Sequence, residues 1–93
     1  MQQTRDKRIF IAVGHGGKDP GAVSPDGLIV EAQCNWIVAK AMQGDLQRHG
    51  FQVKLSRGED EDDPLKKQIA ECNAYDPDLA VAVHTNAGGG SGF

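Results

Sequence analysis

Ninety-three residues give one domain with a modest hydrophobic core. Hydrophobic residues make up 39% and charged residues 25%, the balance of a soluble globular chain. The net charge of −3, from ten basic and thirteen acidic residues, argues against nucleic acid as a partner, because phosphate binding rests on clustered Lys and Arg.

Met1–Arg8 is polar, with a frayed start expected, and the five apolar residues that follow are too few for a membrane span or a signal peptide. Ile9-Phe10-Ile11-Ala12-Val13 reads as a buried strand, starting at residue 8 and stopping at Gly14. A glycine-containing loop over 14–27 follows, with His15 between Gly14, Gly16 and Gly17 and a turn signal at Asp19-Pro20-Gly21. From Val30 to His49 the pattern is helical. Val30, Cys34, Ile37, Val38, Ala41 and Leu46 propose its apolar face, Glu31 its first turn and Gly50 its C-terminal cap. Phe51–Leu55 alternates and reads as a half-exposed strand. The acids Glu59–Asp63 lack the spacing of an EF-hand and read as a solvated loop, with Asp63 as N-cap and Pro64 at the first helical position. Leu65, Ile69 and Cys72 mark the inner face of a second helix ending near Tyr75. Leu79–Val83 is apolar throughout, the pattern of a central strand, and runs into His84-Thr85-Asn86-Ala87. Cys34 and Cys72 lie far apart without a CxxC and read as buried thiols.

The element order is strand, helix, strand, helix, strand. Right-handed crossovers make this an α/β fold, a βαβαβ three-layer sandwich with a mainly parallel sheet in spatial order 2-1-3. Ligands of open α/β sheets bind at the carboxyl ends of strands, which is where His15 sits. Taken alone, His15 is open to two readings: a metal ligand or catalytic group, and a tight turn that contains a histidine. The topology makes the first and third strands neighbours, and both end in a histidine. Glu31 opens the helix after the long loop, on the same rim. His15, Glu31 and His84 therefore converge on one expected site, and two His with one Glu around an open position is a catalytic zinc set. Neutral imidazole and carboxylate suit one Zn²⁺, which acidifies water and polarises a carbonyl. Asn35, one helical turn after Glu31, and Asn86, two residues after His84, are candidate supporting or substrate-binding residues. Asp19 lies near His15, and its position before Pro20 fits a turn. An anion-binding loop at Gly14–Gly17 is the weaker alternative, since the Walker spacing is absent.

Ile11–Ala22, with Gly14-His15-Gly16-Gly17-Lys18-Asp19-Pro20-Gly21-Ala22 at its centre, resembles the first signature of the zinc-dependent N-acetylmuramoyl-L-alanine amidases of the amidase-3 type. Glu31 followed by Asn35 resembles the second. Gly50–Arg57, with Asp60 after it, resembles the segment entering the second crossover, and Leu79–Ala87 the third signature. The resemblance runs in register from Ile9 to Phe93.

It implies zinc on His15, Glu31 and His84, and hydrolysis of the amide between N-acetylmuramic acid and L-alanine in peptidoglycan. It implies a bacterial or phage setting, acting at the cell wall or outside the cell, or held in the cytoplasm before release if a phage endolysin. Three departures stand out. The family's acidic-proline pair ahead of the first Gly-His is Ala12-Val13 here, and a common arginine of the second helix is Gln68. The family's glutamate acid/base has no match within 1–93, so the chain reads as a single truncated amidase domain whose catalytic Glu is expected beyond Phe93. The alternative function is a non-catalytic, zinc-containing cell-wall-binding or regulatory module.

Overall fold

The computed structural model describes residues 7–85. Residues 1–6 and 86–93 lie outside the described residues, and with them the frayed start and the candidate Asn86.

Three strands, β1 (Arg8–Val13), β2 (Gln52–Leu55) and β3 (Leu79–Val83), form a parallel sheet in the order β2-β1-β3. Ile9 is opposite Val53 on one side and Leu79 on the other, and Val13 is opposite Val83. The ladder runs past the strand end, where the Gly14 N–H donates to Val83 O at 3.0 Å. The expected 2-1-3 order is the observed one. Among the described residues β3 is an edge, paired to β1 alone, with Leu79, Ala80 and Ala82 exposed rather than centrally buried.

The period of two in β1 divides the molecule into layers. Ile9, Ile11 and Val13 face α1 (Glu31–Arg48) and cluster with Ala39 and Val83, backed by Trp36, Met42, Leu46 and Leu55. Phe10 points the other way, with its ring 6.4 Å from that of Tyr75 in α2 (Leu65–Tyr75). Burying each large apolar side chain of β1 contributes about 1.5–3 kcal/mol, so the central strand holds the fold together.

The apolar face of α1 differs from the one that its larger hydrophobic residues propose. The helix buries Ala32, Asn35 and Ala39, while Ile37 and Val38 point to solvent. Small residues bring the helix backbone close to the sheet, and the rotation aims Glu31 and Asn35 at the strand ends. The C-terminus follows expectation, with Gly50 in the left-handed region at φ 93° just past the His49 cap.

The second crossover also departs from its expected form. Pro64, not Asp63, is the N-cap of α2, and α2 buries none of its residues; Leu65 and Ile69 are exposed. The Asp63 carboxylate is fully buried and binds Ser56 Oγ (2.5 Å), Lys67 Nζ (2.9 Å) and Gln68 Nε2 (2.9 Å). The acidic loop is thus only partly solvated. Asp62 accepts the Lys18 N–H at 2.7 Å, and Glu61 accepts the Gly58 N–H at 2.7 Å. Both cysteines are free and half-buried.

Candidate metal centre

Three elements meet at the carboxyl end of the sheet. His15 follows β1, His84 follows β3, and Glu31 is the first residue of α1. The loop between His15 and Glu31 folds back on itself. Gly16 and Asp19 exchange backbone hydrogen bonds, Val23 bridges Val30, and Asp26 accepts from Ser24 Oγ and the Leu28 N–H. Its middle caps α1 in place of a side chain: the Glu31 N–H donates to Ala22 O and the Ala32 N–H to Pro20 O. In return the Ala22 N–H donates to Glu31 Oε1 at 3.1 Å. The loop and the helix start therefore fix each other, which carries Glu31 to the rim.

His15 Nε2 lies 3.2 Å from Glu31 Oε1, and His84 Nδ1 lies 3.5 Å from Glu31 Oε2. The two imidazoles stand edge to face with centroids 5.7 Å apart. One donor atom from each of the three residues lies within 4.8 Å of the others. Ligand atoms sharing one tetrahedral zinc at about 2.1 Å lie about 3.4 Å apart, so the donor set fits that ion. Burial is graded across it: the Glu31 side chain is 8% exposed, His15 29% and His84 59%. The set is closed towards the helix and open towards solvent, the arrangement that leaves a position for a reactant.

The surroundings fix each donor. Asp19 Oδ2 lies 2.8 Å from His15 Nδ1. A carboxylate only accepts, so Nδ1 donates to Asp19, and Nε2 is the nitrogen turned towards Glu31 and free to serve a metal. The same carboxyl accepts the Gly21 N–H at 3.1 Å, and the bond to His15, followed by that to Gly21, holds its pKa below the ordinary value. Asp19 thus makes the expected turn and also orients His15. Burial raises the Glu31 pKa, but hydrogen bonds from the Ala22 N–H, Asn35 and the Thr85 N–H, with the nearby His15, outweigh it and leave it below the ordinary value. Glu31 is therefore an anion at neutral pH.

Asn35 is fully buried, and its amide nitrogen donates to Gly14 O (3.0 Å) and Glu31 Oε2 (3.4 Å) while its oxygen accepts from Thr85 Oγ1 (2.9 Å). That amide joins all three elements of the site. Thr85, which sequence reasoning passed over, also donates its N–H to Glu31 Oε2 at 3.3 Å; its position next to His84 was the available signal. His15 itself has a left-handed backbone, φ 60°, a conformation that histidine adopts more readily than most residues but still at a cost of about 1–2 kcal/mol. Gly21, at φ 68°, is needed twice over: a Cβ there would meet Glu31 Oε1 and His15 Cδ2 at 2.6 Å.

Residues 9–93 match the Amidase_3 family, described as N-acetylmuramoyl-L-alanine amidase. The chain belongs to this family. It is 37% identical over 79 residues to the N-acetylmuramoyl-L-alanine amidase AmiC of Neisseria meningitidis, covering 85% of this chain and 19% of that protein. It is 39% identical over 88 residues to the amidase CwlM of Bacillus licheniformis, covering 92% and 34%. The catalytic domain of the amidase CwlV from Paenibacillus polymyxa superposes with a TM-score of 0.83 at 28% identity, over 89% of this chain and 47% of that domain. The chain thus spans about a fifth to a third of the two curated amidases and just under half of the CwlV catalytic domain.

Proposed function

We propose that this chain carries the zinc site of a peptidoglycan amidase that hydrolyses the bond between N-acetylmuramic acid and L-alanine. The observation that carries the reading is the convergence of His15, Glu31 and His84, from two neighbouring strand ends and one helix start, on a single solvent-open point. Family membership supplies the substrate class, and the match to part of the CwlV catalytic domain supports treating residues 1–93 as part of one such domain. The setting proposed with it is the cell wall.

His15 through Nε2, Glu31 and His84 would hold the ion. An ion held there would supply Lewis acidity, enough to acidify water and polarise a carbonyl. The chain's own part is to present this site without reorganisation. Asp19 sets the His15 tautomer, while Asn35 and Thr85 hold the Glu31 carboxylate. A cleft lined by His15, Lys18, Asp19, Asp62 and Pro64 borders the donor set on its His15 side and would offer an approach for a muramoyl peptide. Cleavage also needs a proton delivered to the leaving nitrogen, a contribution of about 10²–10⁴-fold in rate. Glu31 is committed to the donor set and Asp19 to His15, so neither supplies it. That proton would come from the family glutamate, which has no match within 1–93.

Elemental analysis of protein purified without added metal is expected to find about one zinc per chain. The His84→Ala variant is expected to lose it. In a chain that carries the family glutamate, mass spectrometry of digested muropeptides is expected to show free stem peptides beginning with L-alanine; residues 1–93 alone are expected to release them about 10²–10⁴-fold more slowly. Metal content untouched by His84→Ala would refute the site. Metal retained without any cleavage in the chain that carries the glutamate would favour the wall-binding or regulatory module over the enzyme.

A further inference from the structure

Arg57 is the least expected residue of the inner molecule. It is a cation only 4% exposed, on the loop after β2, outside the donor set. Its guanidinium makes no ion pair among the described residues. All five of its hydrogen bonds go to backbone carbonyls: Nε to Val13 O (3.3 Å), Nη1 to Gly58 O (2.8 Å) and Glu59 O (2.9 Å), Nη2 to Gly14 O (3.3 Å) and Ala32 O (2.9 Å). Trp36 lies over it, 6.0 Å from ring centroid to Cζ. Burial pulls its pKa below the ordinary value, opposed at longer range by Asp63, Asp60 and Glu61. A buried charge is costly unless its surroundings satisfy it, and here Nη1 is satisfied by Arg57's own loop while Nε and Nη2 are satisfied by the segments that bear His15 and Glu31.

The placement of those carbonyls is specific. Val13 and Gly14 immediately precede His15, and Ala32 immediately follows Glu31. On the far side of His15, Gly16 packs so close that a Cβ there would meet Arg57 Nε at 2.5 Å. Arg57 therefore hydrogen-bonds the backbone before His15 and packs against Gly16 after it, supporting the left-handed φ of His15, and ties this segment to the start of α1. Lysine has three donors on a flexible stem and no planar fork, so it does not reproduce this pattern.

We propose that Arg57 is a positioning residue that fixes the His15 backbone relative to Glu31, and so sets the affinity of the site for its metal. This rests on the zinc reading of the site. The test compares the wild-type chain, Arg57→Lys, Arg57→Met and a core control, Ile9→Ala, at the far end of β1. Zn²⁺ affinity is measured by chelator competition and backbone hydrogen exchange on the metal-free chain. Both Arg57 variants are expected to lose about 10–100-fold in Zn²⁺ affinity, the loss typical when a group supporting a ligand is removed. In both, exchange at the Ala22, Glu31 and Ala32 amides is expected to rise while β1 amides stay protected. Ile9→Ala is expected to lower the unfolding temperature without either effect. Affinity within threefold of wild type in Arg57→Lys, or exchange that rises uniformly across the sheet, would overturn the proposal. Failure of the wild-type chain to bind Zn²⁺ would overturn the metal reading and the affinity claim with it, and the exchange arm would then support or overturn the backbone-positioning role by itself.

Discussion

The two helices lie on opposite faces of one sheet and are attached by different means. α1 buries Ala32, Asn35 and Ala39 and covers the cluster of Ile9, Ile11, Val13 and Val83. α2 buries no residue, and an apolar crevice bounded by Phe10, Ala12, Ile69 and Cys72 runs beneath it. What fixes α2 is polar: Asp63 joins Ser56 to Lys67 and Gln68, and Ser56 Oγ in turn accepts the Val13 N–H at 2.9 Å. The packed side carries the candidate site, because donor atoms need a backbone that does not shift. The polar side reaches the same strand end through a single hydroxyl and tolerates looser packing.

Substitutions separate these two kinds of attachment. The largest effect is expected on the packed side, where Ile11→Ala removes a fully buried side chain and is expected to cost about 2–5 kcal/mol in denaturant unfolding. Asp63→Ala is expected to cost about 1–3 kcal/mol by leaving Ser56 and Lys67 without their shared acceptor. Hydrogen exchange in that variant is expected to rise along α2 and to leave α1 unchanged. The Lys67 contribution is expected to depend on pH. Burial lowers its pKa, but hydrogen bonds to Asp63 and Glu71 raise it further, for a net rise above the ordinary 10.5. A raised folded-state value gives stability that is complete below 10.5 and disappears as pH climbs through the folded value. The stability gap between wild type and Lys67→Met is therefore expected to be constant near neutrality and to close above that pH. Ile69→Ala is expected to change stability least, by about 0.5 kcal/mol or less, because Ile69 is half exposed. A large loss there with none from Asp63→Ala would reverse the comparison and make α2 an apolar attachment.

The strands and their order were legible because β1 announces itself by a β-branched run and because chirality leaves one arrangement of the crossovers. The convergence of His15, Glu31 and His84 was legible for the same reason: a strand end and a helix start are positions that topology alone brings together. The buried face of α1 was not. Hydrophobicity chose Ile37 and Val38, whereas the helix turned Ala32, Asn35 and Ala39 inward so that polar Glu31 and Asn35 reach the rim. Asp63 looked like a helix cap because capping is a local pattern, while its partner Ser56 lies across a turn. The roles of Arg57, Thr85 and the His15 contact of Asp19 depend on the paths of loops, and composition does not encode those.

The shared ladder between β1 and β3 bears on how the site comes into being. His15 and His84 are brought together only when β3 has paired beside β1, a parallel contact between distant parts of the chain, and such contacts pay their loop-closure entropy before they gain anything. A partly folded chain with β1, α1 and β2 in place holds His15 and Glu31 but lacks the third donor. Under the proposed zinc reading, full metal affinity would arrive only once β3 has paired, and the ion would latch the β1–β3 pair rather than seed it.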